Sequence, residues 1–241
     1  MKPDLLLLNI NNTNTSFALA TPDRIVRVVR QPTATIRDIP FDKRGIRHII
    51  LASVVPGTTK KILPRLPLKP FLVTGNADLG IGVRFPNKKQ IGADRLANAV
   101  AAVRLYGAPA IVVDFGTAVT FDIINARAEY VGGVIAPGLS AVTDYLYQRT
   151  ALLPRIKLIE PRSAIGKSTA AAMRIGAIVG YRGLVKEILA ALQSEPGMAN
   201  AAIIATGGYA SLIAKKIPGI AHVNPMLTLD GLRFIYRHNM R

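Results

Sequence analysis

The chain has no cysteine and no tryptophan, and only 14 of its 241 residues are acidic. Without cysteine there can be no disulfide, no thiolate metal site and no cysteine nucleophile, which accords with a reducing compartment. No stretch approaches the roughly 18 uninterrupted apolar residues of a membrane span. The leucine run Leu5-Leu6-Leu7-Leu8 follows Asp4 and is too short for a signal-peptide core. Glycine and proline are scattered rather than clustered, so no low-complexity tract or linker stands out. The expectation is a soluble, cytoplasmic protein with no membrane partner.

Half of the chain is hydrophobic, enough for a substantial core in one large domain or two ordinary ones. Basic residues outnumber acidic ones 31 to 14, a net charge of +17. Such a charge suits anionic partners, nucleic acid among them. The basic residues are dispersed, however, and the densest groups are only Lys60-Lys61, Lys88-Lys89 and Lys215-Lys216. There is no arginine-rich tract and no interleaving of aromatic and basic residues. A solvated basic surface is the simpler reading, and a nucleic-acid partner is not expected.

One pattern occurs twice. Leu5–Leu8 runs into Asn9-Ile10-Asn11-Asn12-Thr13-Asn14-Thr15-Ser16 and then Phe17-Ala18-Leu19. Ile111-Val112-Val113 runs into Asp114-Phe115-Gly116-Thr117-Ala118-Val119-Thr120 and then Phe121. Each copy is an apolar strand, a tight turn of small polar residues and a second apolar strand. Such turns aim backbone N–H groups and hydroxyls at one spot, which suits a phosphate chain. Phosphoryl transfer is therefore the leading reading, with one asymmetry: Asn9 stands where the second copy has Asp114.

The surrounding pattern supports a duplication. Residues 5–10, 15–20, 24–30, 48–55 and 71–73 read as strands, with the fourth closed by Pro56-Gly57. Helical spacing is expected over 58–65 and 91–105. Gly107-Ala108-Pro109 marks a boundary between a first half, 1–109, and a second, 110–241. The second half restarts with strands at 110–114, 118–124, 129–134 and 201–205. Helices are expected at 140–148, 168–193, 209–216 and 228–239. Two repeated α/β halves enclosing a nucleotide cleft predict a duplicated ribonuclease-H-like, or actin-like, fold.

Several motifs have competing readings. Gly166-Lys167-Ser168 imitates the end of a P-loop, but Pro161 occupies the required glycine. Gly80-Ile81-Gly82 begins a dinucleotide fingerprint, but Phe85 replaces its third glycine. Asp114 is either a turn aspartate satisfied by its own backbone or a ligand-facing carboxylate at a strand end. Gly92-Ala93-Asp94-Arg95 opens a helix. Asp94 there is either a helix cap or a base that takes a hydroxyl proton while Arg95 holds an anion. Thr206-Gly207-Gly208 suits either a flat ligand or a plain strand-to-helix turn. His48, His222 and His238 are too scattered to suggest a metal triad.

Taken together, these segments resemble type III pantothenate kinases, members of the actin-like kinase superfamily. The matching stretches run in order from Asn11–Leu19 to Leu227–Tyr236 and span nearly the whole chain. The resemblance implies transfer of the γ-phosphate of ATP to pantothenate, giving 4'-phosphopantothenate in the first step of coenzyme A synthesis. It implies a homodimer, a divalent ion such as Mg²⁺ and a monovalent cation, K⁺ or NH₄⁺. It makes Asp94 the general base and gives Phe85, Gly92, Ala93, Asp94, Arg95 and Thr169 to pantothenate, Thr169 from across the dimer interface. Asn9, Ile10, Asn11, Asn12, Thr13, Asn14, Thr15, Ser16 and Thr117 would contact ATP, and Asp114 the monovalent cation.

The chain departs from the family pattern at four positions. The family's Asp-x-Gly-Asn-Thr reads here Asn9-Ile10-Asn11-Asn12-Thr13, Lys88 replaces an expected proline, and Phe85 an expected tyrosine. Asparagine tolerates positive φ better than most residues, which bears on Asn11. A non-catalytic relative that binds a ligand or a regulatory partner is the alternative reading that Asn9 and Asn11 keep open.

Overall fold

The computed structural model describes residues 3–239. Its first elements are β1 (Leu5–Ile10), β2 (Asn14–Ala20), β3 (Ile25–Pro32), β4 (His48–Ser53), α1 (Pro56–Ile62), β5 (Phe71–Leu72), β6 (Gly82–Val83) and α2 (Ala93–Tyr106). There follow β7 (Ala110–Phe115), β8 (Ala118–Ile124), β9 (Glu129–Pro137), α3 (Leu139–Arg149), α4 (Thr169–Ser194), β10 (Ala202–Thr206), α5 (Ala210–Ile213), β11 (Ile220–Val223) and α6 (Leu227–Asn239). The chain forms two compact units. One contains the residues up to Gly107, Arg127–Gly132 and the stretch from Met226; the other contains Ala108–Ala126 and Gly133–Pro225.

The first unit is built on β1, all of whose residues are buried. A strand covered on both faces needs an unbroken apolar run, which the four leucines supply. β1 pairs antiparallel with β2 and parallel with β4, in the order β3-β2-β1-β4-β5. Leu6, Leu8 and Ile10 enter a core with Phe17, Ile49, Leu51 and Ile62. Strand alternation turns Leu5, Leu7 and Asn9 to the other face, where α2 and α6 pack against β4 and β1. These helices cross closely: a Cβ on Gly231 would stand 1.9 Å from the Ala97 carbonyl oxygen. Thr228 donates to the buried Asn98 amide oxygen at 2.7 Å, so burying that amide leaves its oxygen bonded.

The second unit repeats the plan. β7 pairs antiparallel with β8 and parallel with β10, and the strand order of this sheet is β11-β10-β7-β8-β9-β6. In each unit a central strand has the next two strands on one side and two parallel strands on the other. This is the duplication that the sequence predicts. The long α4 buries Met173, Ala177, Ile178, Tyr181, Val185 and Leu189, a single helical face. Tyr181 donates to the Pro137 carbonyl at 3.3 Å, and burial pushes its pKa up to about 12.

Some details differ from the sequence reading. Pro56 opens α1 instead of closing a strand, because proline fits the first helical position, where no N–H is needed. β6 and β11 were not expected. Gly82 and Val83 have no readable pattern and become a strand only by pairing with Glu129 and Tyr130. β11 is a short edge strand held by β10. Asn11 does not use positive φ: Ala128 is the only non-glycine residue among those described that does. Among the described residues, no helix is long and apolar enough to cross a membrane.

An ion cluster ties the irregular stretch before α4 to the second unit. Glu160 accepts a two-pronged hydrogen bond from Arg182, which is buried, and pairs with Lys216 at 2.8 Å. Hydrogen bonds from Arg182 and Lys216 hold the Glu160 carboxyl down at about 2. A depressed carboxylate stabilises the fold above its unfolded pKa, and this contribution is lost as pH falls through the folded value. Wild type should therefore be more heat-stable than Glu160→Gln near neutrality, with the gap closing towards pH 2. A gap in melting temperature that does not vary with pH would contradict this.

Candidate active site

The first hairpin leaves β1 at Asn9. Its neighbours across the sheet, Ser16 on β2 and Ala52 on β4, are small. The tip is held by its backbone. Asn11 N–H donates to the Asn14 carbonyl at 3.2 Å, and Thr33 N–H donates to the Thr13 carbonyl at 3.0 Å. The Thr33 hydroxyl donates to the Asn11 carbonyl at 2.6 Å and also lies 3.0 Å from the Thr15 hydroxyl. Two side-chain acceptors remain: Asn9 Oδ1 and Asn11 Oδ1 are both buried and lack a hydrogen-bond partner.

Next to this hairpin stands the start of α2. The Ile10 carbonyl accepts from Val54 N–H at 3.0 Å, and a Cβ on Gly92 would lie 3.4 Å from the Val54 side chain. The same Cβ would stand 2.6 Å from Asp94 Oδ1, so glycine at 92 leaves that carboxylate its space. Gly92 is the N-cap of α2 and makes no side-chain cap. Asp94 lies inside the first turn, its Oδ1 accepting from Arg95 N–H at 2.9 Å, so it is not the N-cap residue although it does satisfy a first-turn N–H. Burial raises the Asp94 pKa, against the lowering effects of that N–H and of the Arg95 charge. A half-buried carboxylate with a raised pKa beside a fixed cation is the arrangement a general base requires.

Phe85 and Arg95 meet at a residue the sequence reading missed. The fully buried Tyr130 ring lies 5.8 Å from the Arg95 guanidinium and 6.3 Å from the Phe85 ring. Arg84 N–H donates to the Tyr130 carbonyl at 2.9 Å, fixing the strand that leads to Phe85. The available signal was the Glu129-Tyr130 strand start, which reads as ordinary core.

In the second unit, Asp114 lies near the end of β7, and the exposed Thr117 lies in the turn to β8. Two glycines crowd this turn. A Cβ on Gly138 would stand 2.1 Å from the Thr117 carbonyl oxygen. Gly207 has φ +93°, and its Cβ would lie 2.4 Å from Asp114 Oδ1 and 2.7 Å from the Phe115 backbone. Gly207 is thus required by the second hairpin itself, a cause that neither sequence reading named. Thr169 is the exposed first residue of α4, capped by the Ser168 hydroxyl, which accepts from Ala171 N–H at 3.2 Å. Ser168 in the imitation P-loop is therefore a helix cap.

The family model for type III pantothenate kinase matches residues 5–191. The chain belongs to the type III pantothenate kinase family. It is 46% identical to a type III pantothenate kinase of Akkermansia muciniphila over 95% of this chain and 96% of the relative. A type III pantothenate kinase of Moorella thermoacetica is 41% identical, with 98% and 99% covered. Among solved structures, a protein of the Baf transcriptional activator family from Campylobacter jejuni superposes with TM-score 0.66 at 20% identity, covering 98% of each chain. A 2-dehydro-3-deoxygalactonokinase protein from Sinorhizobium meliloti superposes with TM-score 0.57 at 12% identity, with 97% and 96% covered. Identities this low speak for the fold alone, a duplicated ribonuclease-H-like architecture.

For this member of the pantothenate kinase family, the crowding at Gly207 is testable by stability. Gly207→Ala places a methyl group against Asp114 in a backbone conformation that alanine resists, at a cost of about 2 kcal/mol or more. Urea unfolding should show a clearly lowered midpoint. An unchanged midpoint would contradict the close approach.

Proposed function

We propose that this protein transfers the γ-phosphoryl group of ATP to the primary hydroxyl of pantothenate, releasing ADP and 4'-phosphopantothenate. Coenzyme A synthesis starts with this step, and we place it in the cytoplasm. The observation that carries the reading is Asp94: a desolvated carboxylate in the first turn of α2, beside Arg95. The membership of the chain in the type III pantothenate kinase family names the substrate.

The hydroxyl oxygen of pantothenate attacks the γ-phosphorus as the bond to the bridging β,γ-oxygen breaks. Asp94 takes the hydroxyl proton and later yields it to solvent. Arg95, held against Tyr130, fixes the pantothenate carboxylate, and Phe85 and Gly92–Arg95 line its site. Residues 9–16 and Thr117 hold the phosphates through backbone N–H groups and hydroxyls. Mg²⁺ fits Asn9 and Asn11, whose amide oxygens lack protein partners. K⁺ or NH₄⁺ fits the Asp114 carboxylate. Bound cations would neutralise charge on the phosphates.

A homodimer is part of the reading. α4 exposes Gly176, Val179, Gly180 and Gly183, and a Cβ on each of the three glycines would meet nothing within 4 Å. Val179, Tyr145, Leu152 and Ile165 add exposed apolar surface. A second copy covering this face would bring Thr169, at the start of α4, to its partner's pantothenate.

Asp94→Asn tests the mechanism. Turnover should fall by about 10²- to 10⁴-fold, as for loss of a general base, while calorimetry still detects pantothenate binding. Because the base acts deprotonated and its pKa is raised, the wild-type rate should fall on acidification above the ordinary aspartate range. Undiminished turnover by Asp94→Asn would overturn the assignment.

A further inference from the structure

The two departures in the first hairpin leave the same kind of atom. Asn9 is 5% exposed, and its Oδ1 is buried without a partner; so is the Oδ1 of Asn11. An acceptor buried without a partner carries a desolvation penalty, so two of them two residues apart call for a shared explanation. Asn9 lies next to the end of β1, and Asn11 is the first residue beyond it. The hairpin's own donors do not reach them. The hydroxyl of Thr33 goes to the Asn11 carbonyl, and the N–H of Asn11 to the Asn14 carbonyl. What remains is an oxygen-rich position without a negative charge of its own. Among the described residues, no group of three or more His, Cys, Asp or Glu side chains gathers to hold a metal ion.

We infer that Asn9 and Asn11 act together as a neutral pair of oxygen ligands for the divalent cation that accompanies the nucleotide. Asn11 supplies an oxygen that the family's glycine lacks, and this offsets the loss of the aspartate at position 9. Hard divalent cations accept amide carbonyl oxygens alongside phosphate oxygens. The ligation is uncharged, so the site takes its negative charge from the nucleotide and binds the ion weakly without it. The inference rests on the ATP-dependent reading above and assigns how this chain handles the ion.

Mn²⁺ reports on the site by electron paramagnetic resonance, which counts free and bound ion without any turnover. The full-length protein would be titrated with Mn²⁺ alone and with Mn²⁺ plus a non-hydrolysable ATP analogue. The variants are Asn11→Ala, Asn9→Asp and the double variant. Asn11→Ala should weaken nucleotide-dependent Mn²⁺ binding about tenfold in the natural background and less than about twofold beside Asn9→Asp. Its metal-free melting temperature should be unchanged or higher, because an unpartnered buried oxygen has been removed. Equal losses in both backgrounds, no loss in either, or a destabilised metal-free protein would overturn the inference. Wild-type protein that binds Mn²⁺ as described but turns over no pantothenate would support this inference and overturn the kinase reading.

Discussion

Burial of the two central strands decides where this protein can do chemistry. β1 is covered on both faces for its whole length, and β7 is buried up to Asp114. A polar group along such a strand is costly, so polar residues collect towards the point where the chain leaves the sheet; Asn9, one residue before the end of β1, keeps a buried Oδ1 without a hydrogen-bond partner. In both units that exit is a hairpin of small residues, and the next strand returns beside the first. Neighbouring elements then press on the exits: Thr33 pins the first, while Gly138 and Gly207 crowd the second. Two turns of small polar residues follow from the same cause, a strand too apolar to hold polar groups until it ends.

The start of α2 adds an electrostatic contrast. Asp94 and Arg95 are adjacent in the first turn of α2, yet burial outweighs the arginine's pull and raises the aspartate's pKa. The Arg95 guanidinium lies 5.8 Å from the Tyr130 ring, and its backbone N–H donates to Asp94 Oδ1 at 2.9 Å. Glycine at 92 is part of this arrangement, because any side chain there would take the space of the carboxylate.

Much of the architecture was legible because it rests on local signals. The leucine run, the repeated turn and the helical spacing of 91–105 lead to β1, the two hairpins and α2, each found within a few residues of its expected place. What was not legible depends on partners distant in the chain. Gly82-Val83 becomes a strand only against Glu129 and Tyr130, and Tyr130 becomes a platform only once Phe85 and Arg95 are beside it. Thr206-Gly207-Gly208 suited a flat ligand or a strand-to-helix turn, and Gly207 does lie in the turn between β10 and α5, but the crowding that requires glycine there comes from Asp114 and Phe115. The reading of Asn11 went astray for a physical reason too: a glycine-like role suggested positive φ, whereas the backbone is ordinary and the side-chain oxygen is the unusual feature.

The central claim is that a hairpin without the family's aspartate still supports phosphoryl transfer. The most direct measurement is pantothenate-dependent ADP release by the natural protein with ATP and Mg²⁺, in K⁺ and in Na⁺, beside Asn9→Asp. Turnover by the natural protein should require pantothenate and be faster in K⁺ than in Na⁺. A silent natural protein, whether or not Asn9→Asp restores activity, would contradict the claim.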